Sequence, residues 1–341
     1  MDPSERLTKT KSRPPIPAEP ERRILITGGA GFLGVNAAIH LIKEGWFATL
    51  LDNLSRPGTE RNLKWLLTRY PHRTAFIKED VRNAAALPEH VRNQDAVLHL
   101  AGQVAVTTSL LDPNTDFDVN ARGTLNMLEA IRLHNHDAPF LFASTNKVYG
   151  KLDHNSGACK ETQPLDFHSP YGCSKGAADQ YVRDYTRCFD MNTVVLRQSC
   201  IYGAHQYGTE DQGWVAHFVH SILKDRALTV YGDGTQVRDL LDARDLSALY
   251  ALVIDKIGIT RGEVYNVGGG PENQRNLLEV IDQIGELTGR KPQFSHADWR
   301  EGDQKFYVSD ISKAKSDLGW EPQIAFDHGL RDLISWAESV N

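Results

Sequence analysis

Three side chains have the types and the spacing to move a proton on or off an alcohol. Tyr171 and Lys175 lie four residues apart in "SPYGCSKGAADQY", so both occupy one face of a predicted helix. A tyrosine titrates near about pH 10 and is a weak base at neutral pH. The neighbouring ammonium of Lys175 is expected to lower that pKa, which would let Tyr171 take a proton from a hydroxyl group.

The third side chain belongs to "ASTNKVYG" (143–150), which follows the strand-like run "PFLFAS" (139–144). The hydroxyl of Thr145 would stand at the end of a strand, where it suits hydrogen bonding to a substrate. Asn146 and Lys147 come next, and neither an amide nor a protonated lysine can serve as a carboxylate base. The stretch therefore predicts a strand end with a useful hydroxyl and no pair of acids behind it.

A glycine-rich turn at residues 28–34 indicates a dinucleotide site. In "RRILITGGAGFLGVNAAIHLIKEG" a strand, a turn and a helix follow in order, and Gly28, Gly31 and Gly34 fit G-x-x-G-x-x-G. Such glycines let backbone N–H groups approach a pyrophosphate and let the helix pack closely on the strand. Asp52 closes the next strand, where a carboxylate would bind the adenosine ribose and repel a 2′-phosphate. The pattern predicts NAD, while the nearby Arg56 keeps NADP open.

Other strand ends fit the same ligand. "KEDVRN" puts Asp80 and Val81 after the third strand, where the adenine edge would lie, and "LHLAGQ" puts the small Ala101 and Gly102 after the fourth. His99 within that strand is expected to be a packed core histidine and not a ligand. The predicted cofactor contacts are Gly28, Gly31, Phe32, Leu33, Asp52, Asn53, Asp80, Val81, Leu100, Ala101, Gly102, Ser144, Tyr171 and Lys175.

The elements that must position these residues follow an α/β pattern. Apolar runs of strand length alternate with segments of helical period. Runs that are apolar on both faces suit parallel strands covered by helices on each side, so we predict a doubly wound parallel sheet of the Rossmann type. The predicted strands are 23–27, 47–52, 74–80, 96–101, 139–144, 193–198 and 264–268. The predicted units are a disordered tail at 1–21, an NAD-binding domain over 22–199 plus 236–268, and a smaller C-terminal substrate lobe over 200–235 plus 269–341.

The composition excludes several classes of protein. The 341 residues include 38 basic and 44 acidic side chains, which gives no basic field for nucleic acid. No apolar run approaches the roughly 20 residues needed to cross a bilayer. The cysteines at 159, 173, 188 and 200 form no C-x-x-C pair, which favours reduced thiols over disulfides or a zinc site. We expect a cytoplasmic protein with no metal and no nucleic-acid or membrane partner.

The chain resembles a known family over about residues 23–320. The stretches that carry the resemblance are "TGGAGFLG", "LDNLSR", "EDVR", "HLAGQ", "VNARGTLNMLEA", "ASTNKVYG", "YGCSK", "YGDGTQVRDLLDARDL" and "NVGGG". They are similar to those of the extended short-chain dehydrogenases/reductases, in the nucleotide-sugar epimerase and dehydratase family. The resemblance implies an enzyme with Thr145, Tyr171 and Lys175 as catalytic residues. Thr145 would bind the reacting hydroxyl, and Lys175 would also bind the nicotinamide ribose. It further implies a structural Asn120 and a homodimer or homotetramer.

The same resemblance bears on the reaction. Members that eliminate water carry "TDEVYG" at this strand end, with Asp and Glu as acid and base. Asn146 and Lys147 hold those places here, which disfavours a dehydratase. What remains is an epimerase that oxidises one sugar carbon to a ketone, turns the keto-sugar and returns the hydride to its other face. NAD would stay tightly bound and be regenerated in each turnover.

Three further stretches resemble one branch of the family, the CDP-paratose 2-epimerases (CDP-tyvelose epimerases). They are "STNKVYG", "LDNLSRPGTERNLKWL" and "CIYGAHQYGTEDQGWVAHF". The resemblance implies inversion at C2 of a CDP-linked 3,6-dideoxyhexose, from CDP-paratose to CDP-tyvelose. Two alternatives stay open: a 4-epimerase acting on a UDP- or other NDP-sugar, and a non-catalytic dinucleotide-sensing scaffold on the same fold.

The predicted substrate contacts span both lobes. Arg238 and Arg300 match positions where the family places arginines against a pyrophosphate, whose oxygens suit the guanidinium fork. Ion pairs within the protein are the alternative for both arginines. Gln212 and Trp214 are expected either to border the pocket or to be merely structural. The full set of predicted substrate contacts is Thr145, Asn146, Cys200, Gln212, Trp214, Arg238 and Arg300.

Overall fold

A computed structural model of the protein describes residues 22–152, 157–300 and 302–340. The predicted disordered tail, residues 1–21, lies outside the described residues. Two cores cover the two faces of a central sheet, and a third core fills a second lobe. The site described below lies where the second lobe meets the carboxyl ends of the central strands.

The central sheet has seven strands, all parallel. From one edge to the other they are β10 (Val264–Val267), β6 (Thr193–Gln198), β5 (Phe140–Thr145), β4 (Ala96–His99), β1 (Arg22–Thr27), β2 (Trp46–Asp52) and β3 (Thr74–Lys78). Side chains alternate between the faces, so Ile24 and Ile26 enter one core while Leu25 enters the other. The predicted doubly wound parallel sheet is confirmed, including the return of residues 264–268 to it.

Helices cover both faces because each buries one apolar side against the sheet. On one face lie α1 (Phe32–Lys43), α2 (Thr59–Arg69), α9 (Ala243–Asp255) and α12 (Ser312–Leu318). On the other lie α3 (Leu87–Val91), α6 (Gly123–His134) and α7 (Ser169–Phe189). Shorter helical segments are α4 (Val106–Leu111), α5 (Pro113–Phe117), a π-helical turn (Asp118–Arg122) and α10 (Ile257–Thr260). Among the described helices, none has the length and apolar character that a bilayer span requires.

The second lobe has its own small sheets and core. One sheet joins β7 (Cys200–Tyr202), β9 (Val237–Asp242), β11 (Gln274–Asn276) and β13 (Phe306–Tyr307), and a second pairs β8 (Leu228–Tyr231) with β12 (Phe294–Ala297). Helices α8 (Trp214–Leu223), α11 (Leu277–Thr288) and α13 (Phe326–Val340) close the core of this lobe. Strand β9 thus pairs outside the central sheet although its residues fall in the segment assigned to the NAD-binding domain. The domain limits themselves stay a prediction.

The order of the central strands locates a ligand crevice. Along the chain, β1, β2 and β3 proceed toward one edge, and β4 then starts on the other side of β1. In open α/β sheets, ligands bind outside the carboxyl ends of the strands at such a reversal. The glycine turn follows β1 and the "AGQ" segment follows β4, so both flank this crevice.

Candidate active site

A cavity of about 360 Å³ opens between the carboxyl ends of the central strands and the second lobe. It brings together most of the predicted catalytic and substrate residues with part of the predicted cofactor set. The predicted residues that line it are Phe32, Leu33, Leu100, Gly102, Ser144, Thr145, Asn146, Tyr171, Lys175, Cys200, Gln212, Trp214, Arg238 and Arg300. The predicted residues outside this lining are Gly28, Gly31, Asp52, Asn53, Asp80, Val81 and Ala101.

Thr145 and Tyr171 form a hydrogen-bonded pair on the floor of the cavity. Thr145 is the last residue of β5, and its Oγ1 accepts a hydrogen bond of 3.2 Å from the backbone N–H of Lys147. Tyr171 lies in the first turn of α7, where its backbone N–H donates to Ser109 Oγ at 3.2 Å. The end of β5 and the first turn of α7 thus bring the two hydroxyl groups together.

The electrostatics of Tyr171 differ from the expectation. Burial raises the pKa of the Tyr171 phenol to about 12, and the charge of Asp116 also raises it. The hydrogen bond from Thr145 and the charge of Arg56 lower it. The protein's own groups do not produce the lowering that was expected from Lys175 and the nicotinamide ring, because desolvation outweighs the charge of Arg56 and the hydrogen bond.

Lys175 lies one helical turn beyond Tyr171 and is 5% exposed. Its Nζ donates to the carbonyl oxygen of Ala143 at 2.6 Å and lies 4.1 Å from the centre of the Phe142 ring. Burial lowers the pKa of the ammonium to about 7, against the opposing charges of Asp179 and Asp116. A group that titrates near neutral pH can both give and take a proton.

A buried carboxylate that sequence reasoning missed supports this helix. Asp116 is fully buried and accepts hydrogen bonds from Ser174 Oγ at 2.5 Å, Gln103 Nε2 at 3.0 Å and Asn120 Nδ2 at 3.2 Å. It thereby joins α7 to the π-helical turn and to the loop after β4. Its position four residues before Asn120, one turn of a helix, was the readable signal.

The glycine turn forms a cradle that side chains would fill. Gly28 has φ of +66°, and a Cβ on it would lie 2.8 Å from the backbone nitrogen of Ala101. A Cβ on Gly34 would lie 2.5 Å from the carbonyl oxygen of Gly28. Asp52 accepts hydrogen bonds from the N–H groups of Ala30 at 3.1 Å and Leu54 at 2.8 Å. The partly accessible start of α1 and the bare backbone around it fit a dinucleotide pyrophosphate.

Several other predicted cofactor positions bind within the protein. Asp80 accepts a two-pronged pair of hydrogen bonds from Arg82 at 2.9 and 2.7 Å, and a third from Asn53 Nδ2 at 2.9 Å. These bonds lower the pKa of the Asp80 carboxyl, and the bond from the Arg82 side chain has the largest effect. The Ser144 hydroxyl donates to Asp179 at 2.7 Å, and Val81 packs against Gly123.

His99 is a core residue, as predicted. Its ring lies between the hydroxyls of Thr27, at 2.7 Å from Nδ1, and Thr124, at 3.1 Å from Nε2. The side chain is fully buried, and burial lowers its pKa to about 3, so the imidazole stays neutral. Among the described residues, no group of three or more His, Cys, Asp or Glu is placed to hold a metal ion.

Acidic residues of the second lobe hold the cationic side chains of the cavity. Asp303 Oδ1 accepts hydrogen bonds from Arg238 Nη2 at 2.8 Å and from Lys147 Nζ at 3.3 Å. Arg300 donates to the Glu210 carbonyl at 2.9 Å and lies 3.8 Å from the centre of the Tyr231 ring. Both arginines therefore make the ion pairs considered from the sequence, and both still line the cavity.

The residues behind Thr145 are tied to the same lobe. Asn146 Nδ2 donates to Gln304 Oε1 at 3.1 Å, beside the bond between Lys147 and Asp303. Cys200 is a free thiol whose pKa is raised by burial, and Trp214, the first residue of α8, hydrogen-bonds to it. Neither Asp303 nor Gln304 was predicted, since their partners are 65 to 158 residues away in sequence.

Comparison with known proteins identifies the family. The family described as GDP-mannose 4,6-dehydratase matches residues 25–333 of the chain. The chain belongs to this family. The membership confirms the predicted group of extended short-chain dehydrogenases/reductases and the expectation of an enzyme.

Relatives within the GDP-mannose 4,6-dehydratase family include both epimerases and dehydratases. A CDP-paratose 2-epimerase from Salmonella typhi is 39% identical over 340 residues, which cover 93% of this chain and 100% of that protein. A UDP-glucuronic acid 4-epimerase from Bacillus cereus, solved in complex with UDP-glucuronic acid and NAD, gives a TM-score of 0.85 at 28% identity and covers 94% of this chain and 100% of its own. A dTDP-glucose 4,6-dehydratase from Streptomyces venezuelae, solved with NAD, gives a TM-score of 0.84 at 29% identity. The match covers 93% of this chain and 97% of that one.

Proposed function

We propose that the protein is a nucleotide-sugar epimerase that inverts C2 of a CDP-linked 3,6-dideoxyhexose, CDP-paratose to CDP-tyvelose. The observation that carries the proposal is the end of β5 as it enters the cavity. Thr145, Tyr171 and Lys175 converge there, while Asn146 and Lys147 stand where dehydratases carry two carboxylates. Without a carboxylate pair, water cannot be eliminated by the acid and base that this step needs. The 39% identity to a CDP-paratose 2-epimerase supports the choice of carbon and nucleotide.

The proposed cofactor is NAD, held at the glycine turn. The start of α1 would bind the pyrophosphate through backbone N–H groups, and Asp52, at the end of β2, would face the adenosine ribose. Lys175 would bind the nicotinamide ribose. When bound, NAD supplies a hydride acceptor and a positive ring that favours the Tyr171 phenolate.

The chain's own residues handle the proton. Tyr171 would take the proton of the C2 hydroxyl on its phenol oxygen and give it back to the same oxygen of the sugar after inversion. Thr145 would hold that oxygen through Oγ1 in both states. Lys175, whose ammonium has a pKa of about 7, would pass the phenol proton of Tyr171 to and from solvent.

Inversion requires the keto-sugar to turn while its nucleotide stays fixed. Arg238 and Arg300 would bind the diphosphate, with Gln212, Trp214 and Cys200 near the sugar. Asp303 and Gln304 keep Lys147 and Asn146 fixed at the end of β5. These held side chains would border the space in which the sugar turns.

A substrate panel tests the proposal. Purified protein would be incubated with CDP-, UDP-, GDP- and dTDP-sugars in deuterated water, with products read by NMR and any co-purified dinucleotide identified. We expect inversion at C2 of CDP-paratose, co-purified NAD and no solvent deuterium in the product. Inversion at C4 with C2 unchanged would support the 4-epimerase alternative. Failure of every sugar to react would support the scaffold alternative. The cytoplasmic location and the homodimer or homotetramer stay predictions of the sequence.

A further inference from the structure

The loop that leads from β2 to α2 (53–58) reaches across to the second lobe. Arg56 of this loop donates a hydrogen bond from Nη2 to Oε1 of Gln212, 156 residues away in sequence. Gln212 lines the cavity, just before α8. A guanidinium from the loop beside the glycine turn therefore binds the substrate side of the site.

Both partners are fixed by their own backbones. The carbonyl of Arg56 accepts a hydrogen bond of 2.7 Å from Thr59 Oγ1, at the start of α2. Gln212 and Thr209 exchange two backbone hydrogen bonds, of 3.2 and 2.9 Å. The main chain at both ends is therefore held in place, which reduces the backbone freedom that is lost when the two side chains meet.

Other contacts join α1, α2 and the loop 53–58 to residues 204–207. Asn36 of α1 donates to the carbonyl of Ala204 at 2.9 Å, and Asn62 of α2 donates to that of His205 at 3.1 Å. A Cβ on Gly58 would lie 2.4 Å from the ring of Tyr207, so that glycine packs directly on the ring. These links hold residues 204–207 against the two helices. The Arg56–Gln212 contact joins the same sides of the molecule through a residue that lines the cavity.

The charge of Arg56 is felt at two places in the site. It acts on Asp52, at the end of β2, and on Tyr171, in α7. Under the proposed function, Asp52 would face the adenosine ribose and Tyr171 the nicotinamide, at opposite ends of the groove that holds the dinucleotide. The bond to Gln212 engages a guanidinium that could otherwise bind a 2′-phosphate.

We infer that Arg56 and Gln212 form a clamp across the dinucleotide groove that retains NAD between turnovers. The inference rests on the proposed function, in which NAD is restored in each cycle and has no need to leave. Release would then require the bridge to open, at the cost of a charge-assisted hydrogen bond. The clamp also couples the cofactor side of the site to the loop that enters α8.

The test compares NAD release from the purified holoenzyme and four variants. They are Arg56→Ala, Gln212→Ala and the double variant, with Arg69→Ala as a control for loss of an exposed arginine at the end of α2, the helix that follows the loop. Bound dinucleotide per chain and its release rate after dilution into a trapping enzyme would be measured. We expect each clamp variant to release NAD about tenfold faster than the wild type, a loss typical of one charge-assisted hydrogen bond. The double variant should be no faster than the faster single variant, and Arg69→Ala should match the wild type.

Several results would overturn the clamp. Wild-type release rates in both single variants would do so, as would effects that multiply in the double variant, since partners of one bond cannot lose it twice. Selective loss of NADP from Arg56→Ala would instead assign Arg56 to a 2′-phosphate. If Arg56→Ala fails to fold, Gln212→Ala alone decides the outcome. A wild-type protein that binds no dinucleotide would contradict the proposed function itself. A wild-type protein that epimerises its substrate, with clamp variants that release NAD at the wild-type rate, would contradict only the clamp.

Discussion

Lys175 carries its charge in an unfavourable place. It is 5% exposed and lies against the Phe142 ring, with the Ala143 carbonyl as its hydrogen-bond acceptor. Burial lowers its pKa from 10.5 to about 7 in the folded protein. The unfolded chain therefore binds more protons between about pH 7 and 10.5, so the folded state gains stability as pH rises through this window. Below about pH 7 the full cost of the buried charge is present.

This sign gives a test for the Lys175→Met variant. In protein freed of dinucleotide, the variant should gain stability over the wild type as pH falls from about 10.5 to about 7. The gain should approach about 1.4 kcal/mol per pH unit within that window, and it should level off below it. Urea unfolding at pH 6, 7, 8 and 9 measures the difference. A difference that stays constant over this range would contradict the lowered pKa.

At the scale of elements, the approach of α1 to β1 depends on one glycine. A Cβ on Gly34 would lie 2.5 Å from the Gly28 carbonyl oxygen and 2.6 Å from the Gly29 Cα, both backbone atoms that cannot turn aside. Gly34→Ala should therefore push α1 off the turn, lower stability by about 1–3 kcal/mol and reduce bound dinucleotide. Thermal unfolding and cofactor content after purification measure both effects.

Gly258 is the matched control for that substitution. It lies in the helical segment α10, and a Cβ there would meet no atom within 4 Å. Gly258→Ala should leave the cofactor content unchanged and alter stability by less than about 1 kcal/mol. Equal effects of the two substitutions would mean that Gly34 is not required for close packing.

The comparison of elements with the sequence separates features that local patterns predict from features that depend on distant contacts. The glycine turn and the central strands are local patterns, and the sequence placed the strand ends within about two residues. β3 ends at Lys78 and β4 at His99, where ends at 80 and 101 were predicted. The bonds of Asp303 to Arg238 and Lys147 could not be read, because they join segments far apart in the chain. The pKa of Tyr171 was misjudged for a similar reason. Burial depends on how all elements pack, whereas the spacing of Tyr171 and Lys175 reports only one helix face.

At the scale of the whole molecule, large apolar side chains gather on the outside of α4 to α7. The exposed fractions of Leu111, Leu133 and Tyr181 are 87%, 60% and 49%, and Phe117 and Phe189 are also exposed. Exposed apolar side chains on neighbouring helices suit contact with another copy of the chain. Leu133 lies in α6, and Tyr181 and Phe189 lie in α7.

Charged substitutions on these helices should break the predicted oligomer. Leu133→Glu combined with Tyr181→Glu should convert a dimer or tetramer to smaller species in sedimentation velocity, because two buried carboxylates oppose association. Ile259→Glu, which replaces an apolar side chain of 57% exposure elsewhere on the surface, should leave the mass unchanged. An oligomer that survives the double substitution would place the contact on another face.

The most direct test follows one hydrogen atom through turnover. CDP-paratose with deuterium at C2 would be incubated with the protein in ordinary water, and the product would be read by NMR and mass spectrometry. We predict CDP-tyvelose that keeps the deuterium at C2, with a rate at least about 100-fold lower in the Tyr171→Phe variant. An inverted product that has lost the label to solvent would contradict hydride return. Full activity of Tyr171→Phe would contradict the role of the phenol.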